Sequence, residues 1–467
     1  MAASVEKNRK PVLLNAFNMN CVGHINHGLW AHPRDTSIEY NTLEYWQSLA
    51  KTLEKGGFDA LFLADILGVY DVYQGNIDLT AAESIQLPVN DPMLLVPTMA
   101  SVTQQLGFGI TVNLSYETPY TFARRFSTLD HLTRGRVGWN IVTGYLDSAA
   151  RAMGESGLAD HDRRYDQAEE FMSVVYQLWE GSWEDSAVLR DKAHRTFADA
   201  SRIHQVDHSG EFYRVQGYHL SEPSRQRTPV LFQAGSSARG QAFAARHAEC
   251  VFISMQEEEK AKALVKQIRE QAVAAGRRPD DVKIFAGATA IVAATDKEAE
   301  ERYLEYQRYA SAEAGIAHFS ASTGIDFSRY ELDEPIRKGN RNAIQSAVDN
   351  VENASKPITR RELLSHYALG GRYTPMVGSG VTVADQLEHW VDEVGVDGFN
   401  LARTVVPECY DDFVRYVTPE LKSRARLSSD SRQVSGEANK LPLSLRNRLF
   451  GEGDHLPQRH PAAAYRR

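Results

Sequence analysis

The 467-residue chain predicts an α/β fold, a closed (β/α)8 barrel, on three observations. Short apolar runs alternate with amphipathic stretches from one end to the other, which implies right-handed crossovers and a parallel sheet. One of those runs, FDALFLA, has no position but Asp59 for a wet face, as expected of a parallel strand covered on both sides. Eight such runs can be counted, a number that favours a closed barrel over an open doubly wound sheet.

Taken in order, residues 12–17 read as the first strand and 42–56 as a helix with Trp46, Leu49, Ala50 and Leu53 on one face. The second strand is 58–64, and Asp91-Pro92 opens the next helix as N-cap and first-turn proline. Strand 108–114, a helix from Tyr120 to a stop at Gly135, and strand 136–142 follow. A long helix, 164–179, leads into a polar stretch, 181–227, with few periodic signals. The pattern resumes with strand 229–234, helix 239–248, strand 250–254, helix 257–275, strand 282–293 and helix 297–314. A second irregular region, 315–380, precedes helix 383–394, strand 398–402 and helix 408–421. The whole chain, 1–467, therefore reads as one barrel domain with two insertions and a C-terminal extension. Insertions of this length are uncommon unless they work as a lid or a binding wall, and 315–380 is the candidate lid. The tail from 423 is polar and Arg-rich until LPLSLRNRLFGEG, and is expected to wrap the surface or a neighbouring subunit.

With 42% hydrophobic and 24% charged residues, the composition excludes a disordered or collagen-like chain. A formal net charge of −9 disfavours nucleic acid or an anionic membrane as partner. Cys21, Cys250 and Cys409 form no CxxC pair, which argues against disulfides or structural zinc and fits a reducing compartment. The polar N-terminus lacks the apolar core of a signal peptide, and no segment offers the roughly 18 apolar residues that span a bilayer. A cytoplasmic location is the expectation.

In such barrels the site lies at the C-terminal ends of the strands. There the sequence places Asn18 and Asn20, Asp65, Thr111 and Asn113, Asn140 and Thr143, and Gln233 before Gly235-Ser236-Ser237. Any one Asn or Thr could merely satisfy loop backbone, but the set favours a pocket. The run Gly235-Ser236-Ser237-Ala238-Arg239-Gly240 lies between a strand and a helix. Glycine lets backbone approach a ligand, the hydroxyls donate, and a helix N-terminus favours phosphate, although a plain Ser N-cap would look the same. His161 and Tyr165, four apart at a helix start, share a face and could clamp a flat ligand. His24, His27 and His32 cluster in the first loop with a spacing that matches no familiar zinc pattern. His318 stands alone in the second insertion. No GxGxxG follows a strand and no P-loop is present, so the electrons of any redox cofactor must come from elsewhere.

The segments NAFNMNCVGHINHGLW, FDALFLADILGVYDVY, PVNDPMLL, YETPYTFARRFSTLDHLTRGRVGWNIVT, HDRRYDQAEEF and LFQAGSSARG resemble the bacterial-luciferase-like flavin monooxygenases. The resemblance is to the branch that holds nitrilotriacetate monooxygenase component A and dibenzothiophene-sulfone monooxygenase, and it runs over nearly the whole chain. The opening NCVGHINHGLW is most similar to the alkane and dimethyl sulfide enzymes of that branch. The resemblance implies a TIM barrel, reduced FMN as cosubstrate and a separate NAD(P)H:FMN reductase, in a homodimer or homotetramer. It implies FMN contacts at Asp65, Thr111, His161, Tyr165, Ser236 and Ser237, with Asn140 and Thr143 along the isoalloxazine ring. It further implies that reduced flavin and O2 give a 4a-hydroperoxide, which the protein must shield from water. Cys21, His24, Tyr70 and His318 would border the substrate side, with His24 and His318 as candidates for hydrogen bonding or proton transfer. The chain departs from the alkane enzyme at Tyr145, where a phenol stands for an imidazole in the catalytic pocket.

The leading expectation is a two-component FMNH2-dependent monooxygenase acting on a small or elongated apolar molecule, such as an alkane or an organosulfur compound. The alternatives are a metal-dependent barrel hydrolase built on the three first-loop histidines, and a non-catalytic flavin-binding protein.

Overall fold

A computed structural model describes residues 9–235, 237–254, 257–336, 358–370, 373, 375–427 and 442–467. The eight expected strands are present. They are β1 (Leu13–Met19), β2 (Ala60–Ala64), β3 (Gly107–Asn113) and β4 (Val137–Val142), then, after two short hairpins, β9 (Val230–Gln233), β10 (Cys250–Ser254), β11 (Lys283–Ala293) and β13 (Gly398–Ala402). Each is parallel to its neighbours, and the ring closes where Leu13 faces Gly398 and where Cys250 faces Lys283. The architecture is the predicted (β/α)8 barrel.

Why the strands lack a wet face is visible in β1. Leu13 and Phe17 point into the barrel with Phe62, Phe232 and Phe285, while Val12, Leu14 and Ala16 meet Trp46, Leu49 and Leu53 of the helix Leu43–Lys55. Both faces of the ring are thus covered with apolar carbon, at roughly 25 cal/mol per Å² removed from water.

The first insertion, 181–227, folds into two antiparallel hairpins, β5 (Val188–Asp191) with β6 (Thr196–Ala198), and β7 (Val206–Ser209) with β8 (Arg214–Gly217). The second insertion corrects the expectation of an irregular region and of a helix over 297–314. The helix Asp296–Gln307 stops early, and a second helix, Ala312–Thr323, runs with residues 314–323 all buried. Its sequence, GIAHFSASTG, is apolar or small all round and so has no amphipathic stripe to read. Helix Arg360–Tyr367 and strand β12 (Pro375–Ser379) follow, β12 extending the sheet beside the last residues of β11. Most of the candidate lid between these helices, 337–357, lies outside the described residues. Ala312–Thr323 packs with Tyr70, Ile85, Leu146 and Ala149 into an apolar layer over the barrel mouth.

The tail is the other correction. Its described part, 442–467, packs beneath the barrel of its own chain. Helix Leu445–Phe450 inserts Leu445 and Leu449 among the inward side chains of the ring. Arg446, 2% exposed, meets the 3% exposed Glu249 at 2.7 and 2.8 Å and donates to the carbonyls of Thr228 and Pro229. Arg448 pairs with Asp59 at 3.0 Å. Arginines in a polar tail read as surface; here their forks serve carbonyls and carboxylates that the strand ends leave unsatisfied.

Removing one member of a buried ion pair strands the other charge. Arg446→Met is expected to lower unfolding stability by about 3–5 kcal/mol, read as the shift in the urea midpoint. Pairing it with Glu249→Gln should recover part of that loss.

Candidate active site

The C-terminal ends of β4, β9 and β10 open on a cavity of about 480 Å³, lined among others by Thr143, Tyr145, His161, Arg164, Tyr165, Gln233, Gly235, Ser237 and Tyr373. At its polar end Ser237 is the N-cap of helix Ala238–His247. Its Oγ accepts from the Gly240 amide at 3.1 Å and lies 3.1 Å from His161 Nε2, so the capping role and the pocket role coincide. His161 and Tyr165 share a helix face as their spacing requires, with ring centroids 5.1 Å apart. The two glycines of the loop answer to Tyr165. A Cβ on Gly235 or Gly240 would lie 2.8 or 2.7 Å from its hydroxyl, so both positions exclude a side chain. Gln233 Oε1 accepts from the Gly235 amide at 2.8 Å and holds the turn. Ser236 lies outside the described residues.

Arg164, buried on the same helix, also lines this end, and the sequence reading missed it although it stands three residues after His161. Burial holds its pKa below the usual guanidinium value, and burial pushes the Tyr165 hydroxyl up against the pull of Arg164. A desolvated cation beside hydroxyl, imidazole and a helix N-terminus is a place where an anion such as phosphate lowers the energy.

Next to the cavity-lining Ile141, Asn140 and Thr111 are register partners of β4 and β3, and Asn140 Nδ2 donates to Thr111 Oγ1 at 2.8 Å. Among the described residues nothing pairs with the buried Asn140 Oδ1, nor with Asn18 Nδ2. Asn113 instead caps a turn through Ser115, and Asn20 donates to the Asp91 carbonyl, so for these two the loop-satisfying role is the observed one. Asp65 ends β2 half-buried; burial, reinforced by the Asp91 carboxylate, pushes its pKa up to about 8.

The residues expected on the substrate side gather over the mouth, joined to the cavity through Tyr145. Its hydroxyl is 3.1 Å from that of Tyr70, which stacks on His318 with centroids 4.8 Å apart. Tyr70 donates to Gln86 Oε1 at 2.6 Å, and His318 Nε2 lies 3.2 Å from the Tyr70 oxygen. Gln86 was not singled out from sequence for this chamber, whereas His27, one of the three first-loop histidines, reaches His318 Nδ1 at 3.0 Å. His24 packs edge-on against Phe17. Cys21 is buried in the first loop, where its thiol donates to the Gly23 carbonyl at 2.9 Å and burial pushes its pKa up to about 12. The three first-loop histidines do not converge. His27 turns to His318 and His32 to Glu305, and among the described residues no three His, Cys, Asp or Glu are placed to hold a metal. Nor is any described helix long and apolar enough to cross a membrane.

A model of the luciferase-like monooxygenase family matches residues 24–398. The chain is 46% identical over 462 residues to the dimethyl-sulfide monooxygenase of Hyphomicrobium sulfonivorans, covering 98% of this chain and 94% of that one. It is 45% identical over 459 residues to the long-chain alkane monooxygenase of Geobacillus thermodenitrificans, covering 98% of each. Among solved structures, a riboflavin lyase holding modified FMN and riboflavin superposes with a TM-score of 0.89 at 36% identity, over 98% of this chain and 100% of that one.

The raised Asp65 pKa has a definite sign. The folded protein keeps this proton to higher pH than the unfolded chain, so the residue's contribution to stability falls as pH rises from about 4 to about 8. Asp65→Asn is therefore expected to leave the melting temperature unchanged near pH 4 and to raise it at pH 8. A difference that does not vary with pH would show an ordinary carboxylate.

Proposed function

Because the chain belongs to the luciferase-like monooxygenase family, we propose that it is the oxygenating component of a two-component system that uses FMNH2 and O2. The observation that carries the FMN assignment is the polar end of the cavity. His161, Tyr165, Gly235 and Ser237, with the buried Arg164 beside them, match the needs of a phosphate monoester. The buried Asn140 Oδ1 and Thr111, paired on β4 and β3 next to the cavity-lining Ile141, suit the N–H and carbonyl edge of a flat heteroaromatic ring. Ser236 and Thr143 belong to the same proposed set, as does Asp65, whose neutral carboxyl can donate as well as accept. Reduced FMN, when bound, supplies the electrons with which dioxygen is activated.

The chain's own part is to orient and to exclude water. The apolar layer around Ala312–Thr323 shuts the mouth, where bulk water would otherwise divert reduced flavin to peroxide. Tyr70, Tyr145 and His318 form the hydrogen-bonding wall against which the substrate's reacting atom would sit, and His24 borders them. The two insertions are proposed as walls of one barrel domain rather than as domains of their own. With no dinucleotide fingerprint in the sequence, the reducing equivalents would come from a separate NAD(P)H:FMN reductase. The apolar layer over the mouth favours a small apolar sulfide or an alkane as substrate. Tyr145, a phenol, makes it a poorer site for chemistry that needs a neutral-pH base.

The test is oxygen uptake with an added flavin reductase across sulfides, alkanes and aminopolycarboxylates. At least one apolar substrate should give product in step with NADH consumption. Return of all reduced flavin as peroxide throughout the panel would overturn the assignment. Ser237→Ala should weaken FMNH2 binding about tenfold to a hundredfold, the loss of a hydrogen bond to a charged group. An unchanged flavin Kd would remove Ser237 from the site.

A further inference from the structure

We propose that His27 is a positioning residue that fixes which nitrogen of His318 carries the proton. The argument begins at Gln86. Its Nε2 faces the carbonyl oxygen of His24 at 3.3 Å, an atom that can only accept, so the amide is oriented with Oε1 toward Tyr70. At 2.6 Å that oxygen takes the one proton the Tyr70 hydroxyl has to give. Tyr70 must then receive from its other neighbours, and His318 Nε2, 3.2 Å away, has to be the protonated nitrogen. In a neutral imidazole this leaves Nδ1 as the acceptor, and the group facing Nδ1 at 3.0 Å is His27 Nε2. The hydrogen bonds therefore run one way: His27 to His318, His318 to Tyr70, and Tyr70 to Gln86.

The backbone independently marks this loop as over-determined. Ser84 and Gln86 both sit in the left-handed region, at φ 50° and 54°, which non-glycine residues avoid. They are kept there by the first loop. The Gln86 amide donates to the Gly23 carbonyl at 3.2 Å, and Gly23 approaches so closely that a Cβ would lie 2.2 Å from the Ser84 carbonyl oxygen. His27 is anchored from its own backbone, its carbonyl accepting from Ser311 just before helix Ala312–Thr323, the helix that carries His318. One loop thus fixes both ends of the chain of hydrogen bonds.

The kinetic consequence rests on the flavin-monooxygenase reading above, whereas the tautomer does not. Selective 15N-histidine labelling, with His318 assigned by its loss in His318→Gln, should show Nε2 protonated and Nδ1 bare in the wild type. His27→Leu should populate the opposite tautomer, and His27→Gln, whose carboxamide still donates, should keep the original. Coupled product formation should fall about tenfold or more in His27→Leu and recover to within about threefold of wild type in His27→Gln, with the flavin Kd steady. A wild-type His318 protonated on Nδ1 would overturn the proposal. So would an unchanged tautomer in His27→Leu, or a His27→Gln protein as impaired as His27→Leu at the same thermal midpoint. If the wild type oxygenates nothing, it is the function reading that fails, and the tautomer populations still decide the role of His27.

Discussion

A ring of eight strands is open at two ends, and keeping water out of both is the constraint on which the rest of this structure depends. The two ends are shut by different physics. Beneath the barrel, the strands begin with carbonyls and carboxylates that need partners, and the chain supplies arginines whose planar forks reach several at once. Over the mouth, where a ligand must enter, the cover is the helix Ala312–Thr323 with a layer of aliphatic and aromatic side chains. Within that layer the polar ends of Tyr70, Tyr145 and His318 turn toward one another. Charge is used where closure is permanent, and apolar contact where closure must yield to a ligand.

The polar end of the cavity shows how few positions such a site needs. Tyr165 places one hydroxyl where two glycines leave room, and that contact draws the β9 loop, the helix Ala238–His247 and the helix beginning at His161 toward a common point. Arg164 comes with them because it occupies the same helix face. A ligand bound there would touch two stretches of chain, one at His161 and one at Ser237, that lie 76 residues apart.

Much of this was legible in the sequence wherever a local rule decides it. Strands covered on both faces announce themselves by their lack of polar positions, and Asp91, Ser237 and the pair His161 and Tyr165 stand where capping and helical spacing require. What escaped was set by tertiary context. Ala312–Thr323 is buried all round and so carries no period. The tail's arginines look like surface charge until their partners are known. Gln86 and His27 depend on contacts 62 and 291 residues away in the sequence, which no window could join.

The arginine closure beneath the barrel also bears on the order in which the molecule is made. Arg448 and Asp59 are separated by 389 residues, and Arg446 and Glu249 by 197. All eight strands leave the ribosome before the segment that stoppers them, so a nascent ring holds two buried carboxylates without their counter-charges. Contacts so distant along the chain are the slowest to form. Docking of the tail is the step that supplies both counter-charges, and it can come only after every strand has been made.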